Sequence, residues 1–387
     1  MFRDRPNRAR RLIPARTGAP TVALSLAMAL VLAAGTVQAD EFDETFTFDA
    51  PLLRVSNLIG EIKIEGHAGS GFEVVAQVRG ADASADEIQF ETDTGKDAML
   101  EVVFPDEDRF VYPRMGARSR STFNMGRGDS WGWFRRDRIE IRGSGRGMEV
   151  WVDLTIKVPS GSELVVRHGA GTIDAVDAEA HLDLAVRSGH ATATRITGDV
   201  EVDTGSGHVE IDTIVGNLRV DTGSGHVDAV AIDGTHILLD TGSGHVSLAE
   251  AKGDELEIDT GSGRVELDRA AFSKISIDTG SGSVECDEVE ADDLVVDTGS
   301  GSVRVELTRM GDGEFSIDTG SGSIRFFMPA PASAEIYAET SSGGIDVDVD
   351  GADMRRKKRD EVEFVVGGGA ARVDLETGSG SIRIADR

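Results

Sequence analysis

Leu256-Glu257-Ile258-Asp259-Thr260-Gly261-Ser262-Gly263-Arg264-Val265-Glu266-Leu267 alternates apolar and polar residues on both sides of a glycine pair, which is the period of a strand. Leu256, Ile258, Val265 and Leu267 then share one face. The glycines between them permit a left-handed backbone or a close backbone approach, so the chain can turn a corner there. Working outward, Asp-Thr-Gly-Ser-Gly recurs from Asp203, Asp221, Asp240, Asp259, Asp278, Asp297 and Asp318, in steps of 18, 19, 19, 19, 19 and 21 residues. Degenerate copies extend the series: Arg167 to Gly171 and Ser188-Gly189-His190 upstream, Glu339 to Gly343 and Glu376 to Gly380 downstream, with Asn57 to Ile62 as an outlying first copy. A period near 19 repeated this often predicts an all-β, single-chain β-solenoid. Each coil is stabilised by its neighbours, so the end coils are expected to be irregular or capped.

The composition agrees. The 387 residues contain 47 glycines and only 5% aromatics, which suits a thin interior of small β-formers better than a bulky globular core. The single cysteine, Cys286, excludes an intrachain disulfide, so packing and ladder hydrogen bonds must hold the fold.

Residues 1–39 read as a secretory signal: six arginines in the first sixteen positions, an apolar stretch from Thr21 to Ala34, then Val37-Gln38-Ala39 before the expected cleavage. No later stretch is long and apolar enough to span a membrane as a helix. Six arginines against Asp4 give the leader a net +5, so its removal takes the formal charge from −29 to −34. Such a surface repels nucleic acid and anionic lipid. The sequence predicts irregular β coils or a cap over 40–164, interrupted by an exposed insertion at 105–148, and a regular solenoid over 165–387 with a basic loop at 354–359. The insertion carries ten arginines against six acids together with Trp131 and Trp133, and is expected to leave the solenoid as a long loop or hairpin.

Several motifs invite chemical readings. Asp-Thr-Gly also marks aspartic proteases, but copies stacked every 19 residues cannot bring two aspartates face to face across a cleft. As turn chemistry, Asp accepts hydrogen bonds from following amides and the glycines relieve strain. As a cation ladder, Asp203, Asp221, Asp240, Asp259, Asp278, Asp297 and Asp318 offer stacked carboxylates to calcium. His190, His208, His226 and His245 share one motif position and form an outer column open to zinc or copper. Arg264, Ser283, Ser302 and Ser323 replace them later without disturbing the period. Arg127 and Asp129 of Gly126-Arg127-Gly128-Asp129-Ser130, with Trp131 and Trp133, make the insertion a candidate partner-binding segment. No phosphate loop, nucleophile elbow or catalytic residue is identified.

On the recurring Asp-Thr-Gly-Ser-Gly-x-Val/Ile units the chain resembles a DUF4097-like bacterial family of adhesin-like proteins with a repeated-strand domain of unknown function, and is similar to autotransporter-like adhesin head domains. The resemblance is strongest from about Val165 to Ala385. It implies a β-solenoid and an envelope location, and it brings no activity or catalytic residues. The insertion and the basic run depart from the family pattern. The expected function is that of a non-enzymatic exported protein, periplasmic or at the cell surface, acting as an adhesin-like binding or scaffold protein without a cofactor. Its expected partner is an envelope protein or a glycan. Two rival readings stay open: a carbohydrate-active β-helix enzyme and a calcium-stabilised rod.

Overall fold

Inward alternation dictates what each coil buries. In the computed structural model, which describes residues 40–124 and 138–387, Leu256, Ile258 and Thr260 point inward on one side of the turn, and Val265 and Leu267 on the other. A second corner follows at Arg269, and Ala270 and Phe272 then add a third inward run before Ile275 opens the next coil. All these side chains are at most 1% exposed. The second corner recurs at Asp177, Arg195, Thr213, Ala231, Glu250, Arg269 and Glu288, with φ between 50 and 60°. Such left-handed geometry is uncommon outside glycine, and nothing in the varied residue types announces it.

Along the motif strands the coils stack by parallel pairing in unbroken register. Val200–Thr204 pairs with Leu218–Thr222, which pairs with His236–Thr241, then Lys252–Thr260, Ala271–Thr279, the second half of Val284–Thr298, and Glu314–Thr319. Upstream, Leu52–His67 pairs with Ser162–Ala178 so that Asn57 lies opposite His168 and Gly60 opposite Gly171. The outlying first copy is thus part of the stack.

Chain order and spatial order part company at the far end. Ala371–Thr377 lies between Glu314–Thr319 and Ala334–Thr340, pairing in parallel with both, and Ile382–Asp386 likewise separates Ile324–Met328 from Ile345–Asp348. The basic run expected as a loop lies mostly in the strand Asp353–Lys357, antiparallel to Glu361–Val366, which in turn pairs antiparallel with Ala334–Thr340. This hairpin covers the last coil's open edge, and its charged residues blunt the new edge. Arg355 pairs with Glu335, and Arg356 and Lys358 with Glu361. At the opposite end, Trp151–Pro159, Phe72–Arg79 and Phe42–Phe48 continue from Leu52–His67, the last two by antiparallel pairing.

The described parts of the insertion do not leave the solenoid. Arg109–Val111, Arg138–Arg142 and Arg120–Asn124 form a separate three-stranded sheet, with Phe110, Phe123, Ile139 and Ile141 buried. The leader expected at 1–39, and Arg127, Asp129, Trp131 and Trp133, lie outside the described residues. Among the described residues there is no α-helix, and the one helical turn is a 3₁₀ turn at Pro113–Met115. No helix there is long and apolar enough to cross a membrane.

Candidate functional site

Three side-chain columns run along the turn, and the buried one is not the one turn chemistry predicts. Thr204, Thr222, Thr241, Thr260, Thr279, Thr298 and Thr319 are all at most 1% exposed. Thr260 Oγ1 donates to the Gly244 carbonyl of the preceding coil (3.3 Å), Thr298 to Gly282 (2.9 Å) and Thr319 to Gly301 (2.8 Å). From the intercalated strand, Thr377 Oγ1 donates to the Gly322 carbonyl of its spatial neighbour at 2.8 Å. The motif glycine accepting this bond sits hard against its neighbour: a Cβ on Gly263 would lie 1.6 Å from the Gly244 carbonyl oxygen. Close approach, and not a left-handed backbone, is what requires glycine there. At the start of the column His168 takes the threonine position, fully buried, with Nδ1 3.1 Å from the Asn57 carbonyl and Nε2 2.9 Å from that of Gly60. Burial depresses its pKa to about 4.

The aspartates stand one residue before these threonines and therefore on the opposite face. Asp203, Asp221, Asp240, Asp259, Asp278, Asp297 and Asp318 lie in register, and the row continues through Glu376 to Glu339. They do not bind the turn amides as expected: the threonine hydroxyls supply the side-chain hydrogen bonds, and among the described residues no side-chain hydrogen bond or salt bridge ties down the seven aspartates. Neighbours about 4.8 Å apart repel by about 1 kcal/mol in water. Partial burial, then the fields of Asp221 and Asp259, push the Asp240 carboxyl above the usual range. Asp203 and Asp297 are raised for the same two reasons.

The histidines form two edge-to-face pairs. His190 and His208 have ring centroids 6.3 Å apart, as do His226 and His245. In each pair the first ring's Nδ1 accepts the backbone N–H of the second histidine at 3.1 Å. The second ring's Nε2 faces a carboxylate, Asp228 at 3.3 Å or Glu266 at 3.4 Å. The columns proposed for cations are thus linear: among the described residues, no three His, Cys, Asp or Glu side chains converge to hold a metal ion.

The insertion sheet docks on this turn. Arg114 bridges Glu61 (2.8 Å) and Asp153 (3.1 Å) and lies over the Trp151 ring. Tyr112 packs on Trp151 at 5.7 Å, and Ser121 Oγ meets Ser188 Oγ at 2.5 Å. Between sheet and turn lies a cavity of about 480 Å³.

The model of a known family, described as Toastrack DUF4097, matches residues 212–385. Over those residues the chain is similar to the Toastrack family. The matched segment contains the coils in which the buried threonine and the stacked glycine recur most regularly, together with the intercalated strands. The first coils, the insertion sheet and the cavity precede it. Curated proteins yield no match. Among solved structures, a candidate cell adhesion protein from Clostridium sporogenes ATCC 15579 matches 90% of this chain and all of its own at 12% identity and a TM-score of 0.18, a likeness too slight to carry an argument.

Proposed function

We propose that the protein is a non-enzymatic, exported envelope protein whose solenoid serves as a rigid adhesin-like binding or scaffold surface. The observation that supports this reading is the carboxylate row. Asp203 through Asp318, Glu376 and Glu339 are spaced by the backbone ladder and repel one another, and among the described residues the aspartates have no salt-bridge partners. A partner bearing spaced positive charges relieves that repulsion along the whole row, so binding draws on many weak contacts at once. The basic and apolar leader supports export, and the repeated register supports a scaffold reading over a shaped catalytic centre.

The test is a pull-down from envelope extract with the wild-type protein and a variant carrying Asp221→Asn, Asp240→Asn, Asp259→Asn, Asp278→Asn and Asp297→Asn. Partners captured by the wild type alone, and released by 0.5 M salt, support the reading. An identical set of partners for both proteins removes the row as a binding surface. Turnover in a glycan-hydrolysis screen overturns the non-enzymatic reading, and fractionation that leaves the protein in the cytoplasm overturns the export reading.

A further inference from the structure

One side of the coil is left unfinished in both directions. From Gln89–Asp93 an unbroken row of hydrogen-bonded strands leads through Asp97–Val103, the first half of Leu52–His67 and the motif strands to Ala334–Thr340, Glu361–Val366 and Asp353–Lys357. Gln89–Asp93 and Asp353–Lys357 are its outermost members, and among the described residues no strand covers the free edge of either. Both edges leave an apolar side chain half-buried. Phe90, opposite the buried Val102, meets the rings of Phe42 at 6.5 Å and Phe46 at 5.1 Å, and Met354 lies opposite the buried Phe364. Unpaired backbone groups beside partly covered apolar side chains are what an added strand satisfies.

The charges that guard these two edges are opposite in sign. Residues 86–97 hold five acids against Lys96 alone, whereas the run from Arg355 to Arg359 holds five bases. Arg355, Arg356 and Lys358 are shared with Glu335 and Glu361. Lys357 and Arg359 form no salt bridge among the described residues, nor do Glu87 and Glu91, and all four are exposed. Two copies meeting through the same edge would set acid against acid or base against base, while opposite edges attract. The adjoining side of the coil ends in Ile345–Asp348 and Phe42–Phe48, which both carry carboxylates, so the attraction is confined to this one side.

We propose that the protein assembles head to tail with further copies of itself, Asp353–Lys357 of one molecule adding to Gln89–Asp93 of the next so that the basic run lies alongside the acids of residues 86–97. The added strand is antiparallel, because Asp353–Lys357 runs with the motif strands and Gln89–Asp93 runs against them. Each contact joins two different surfaces, so one free edge of each kind remains and copies add without a fixed number. The contact is separate from the carboxylate row and stands whether or not that row binds a partner.

Sedimentation velocity of the full chain from about 1 to about 100 μM tests it. A series of species that lengthens with concentration is expected, with association weakened about tenfold or more in 0.5 M salt. Glu87→Lys with Glu91→Lys cancels the acidic excess of one edge, and Lys357→Glu with Arg359→Glu nearly cancels the basic excess of the other. Each double variant alone is expected to stay monomeric. Their mixture keeps one intact contact and is expected to stop at a 1:1 dimer. Carbodiimide, which joins touching amines and carboxylates, keeps the test decisive if a variant unfolds. In the wild type it is expected to link Lys357 or Lys358 to the acids of residues 86–97, a link that only two molecules can make because the whole stack separates these segments. A monomeric wild type, a dimer that does not grow, a monomeric mixture of folded variants, wild-type assembly by either variant alone, or absence of that link overturns the proposal. So does loss of assembly when the five row aspartates are replaced by asparagine, which would move the contact to the carboxylate row.

Discussion

Replacing Gly263 by alanine tests how tightly the coils are stacked. The new Cβ would sit 1.6 Å from the Gly244 carbonyl oxygen and 2.7 Å from Thr260 Oγ1. Restoring an ordinary contact of about 3.4 Å requires the two coils to part locally by about 1.8 Å. The bonds across this gap start from 2.9 Å (Val246 N–H to Arg264), 3.2 Å (Gly261 N–H to Thr241) and 3.3 Å (Thr260 Oγ1 to Gly244). None survives such a displacement. Three bonds at about 1 kcal/mol each, less about 0.4 to 1 kcal/mol regained by stiffening the unfolded chain, give a net loss of about 2 kcal/mol. Gly344→Ala is the control, because its Cβ meets nothing within 4 Å, and its effect is expected to stay within about 0.5 kcal/mol. Urea unfolding followed by circular dichroism reads both midpoints. Equal midpoints for the two variants would refute close coil stacking as the reason for glycine at this position.

Three further outcomes follow from the same geometry. His168 is buried and neutral with a pKa near 4 against an ordinary 6.5, so the unfolded chain binds the proton first. Stability is therefore full above about pH 6.5 and falls by about 3 kcal/mol as pH drops towards 4. The raised aspartates act in the opposite sense, since protonating them favours the folded row, and the histidine effect is read as the difference between wild type and His168→Gln in urea melts across that range. Thr213 holds φ at 60° with a β-branched side chain, so Thr213→Asn is expected to raise stability by about 0.5 to 1 kcal/mol, and a lowered melting temperature would contradict the strain. Because the carboxylates and histidines form lines and no converging cluster among the described residues, melting midpoints in 5 mM calcium and in chelator should agree within about 1 °C, and a larger calcium-dependent rise would restore the cation-ladder reading.

The stack was legible because one period governs both sequence and structure. Alternation from Leu256 and Ile258 also places Thr260 inward and Asp259 outward, so the true roles within the motif were available from the strand period. The turn-former habits of aspartate obscured them. The second corner left no trace, since its left-handed residues range from Thr213 to Arg269 and share only a position. The intercalation of Ala371–Thr377 was equally hidden: Glu339 and Glu376 carry the same degenerate motif, and local pattern does not reveal which of two equivalent strands stacks first. Glu140 looked like any acid in an arginine-rich stretch, and only the pairing of Arg109–Val111 and Arg120–Asn124 with Arg138–Arg142 brings Arg109 and Arg120 to its carboxylate.

The intercalated coil bears on how the molecule is completed during synthesis. Residues 334–340 reach the ribosome exit ahead of 371–377, yet they find their parallel neighbour only after that later segment has slotted in beside Glu314–Thr319. Growth of the stack therefore cannot proceed layer by layer behind the emerging chain. The final layers close together, like a drawer whose last board locks the one cut before it, and a polypeptide released before residue 371 is left with two layers that have no seat.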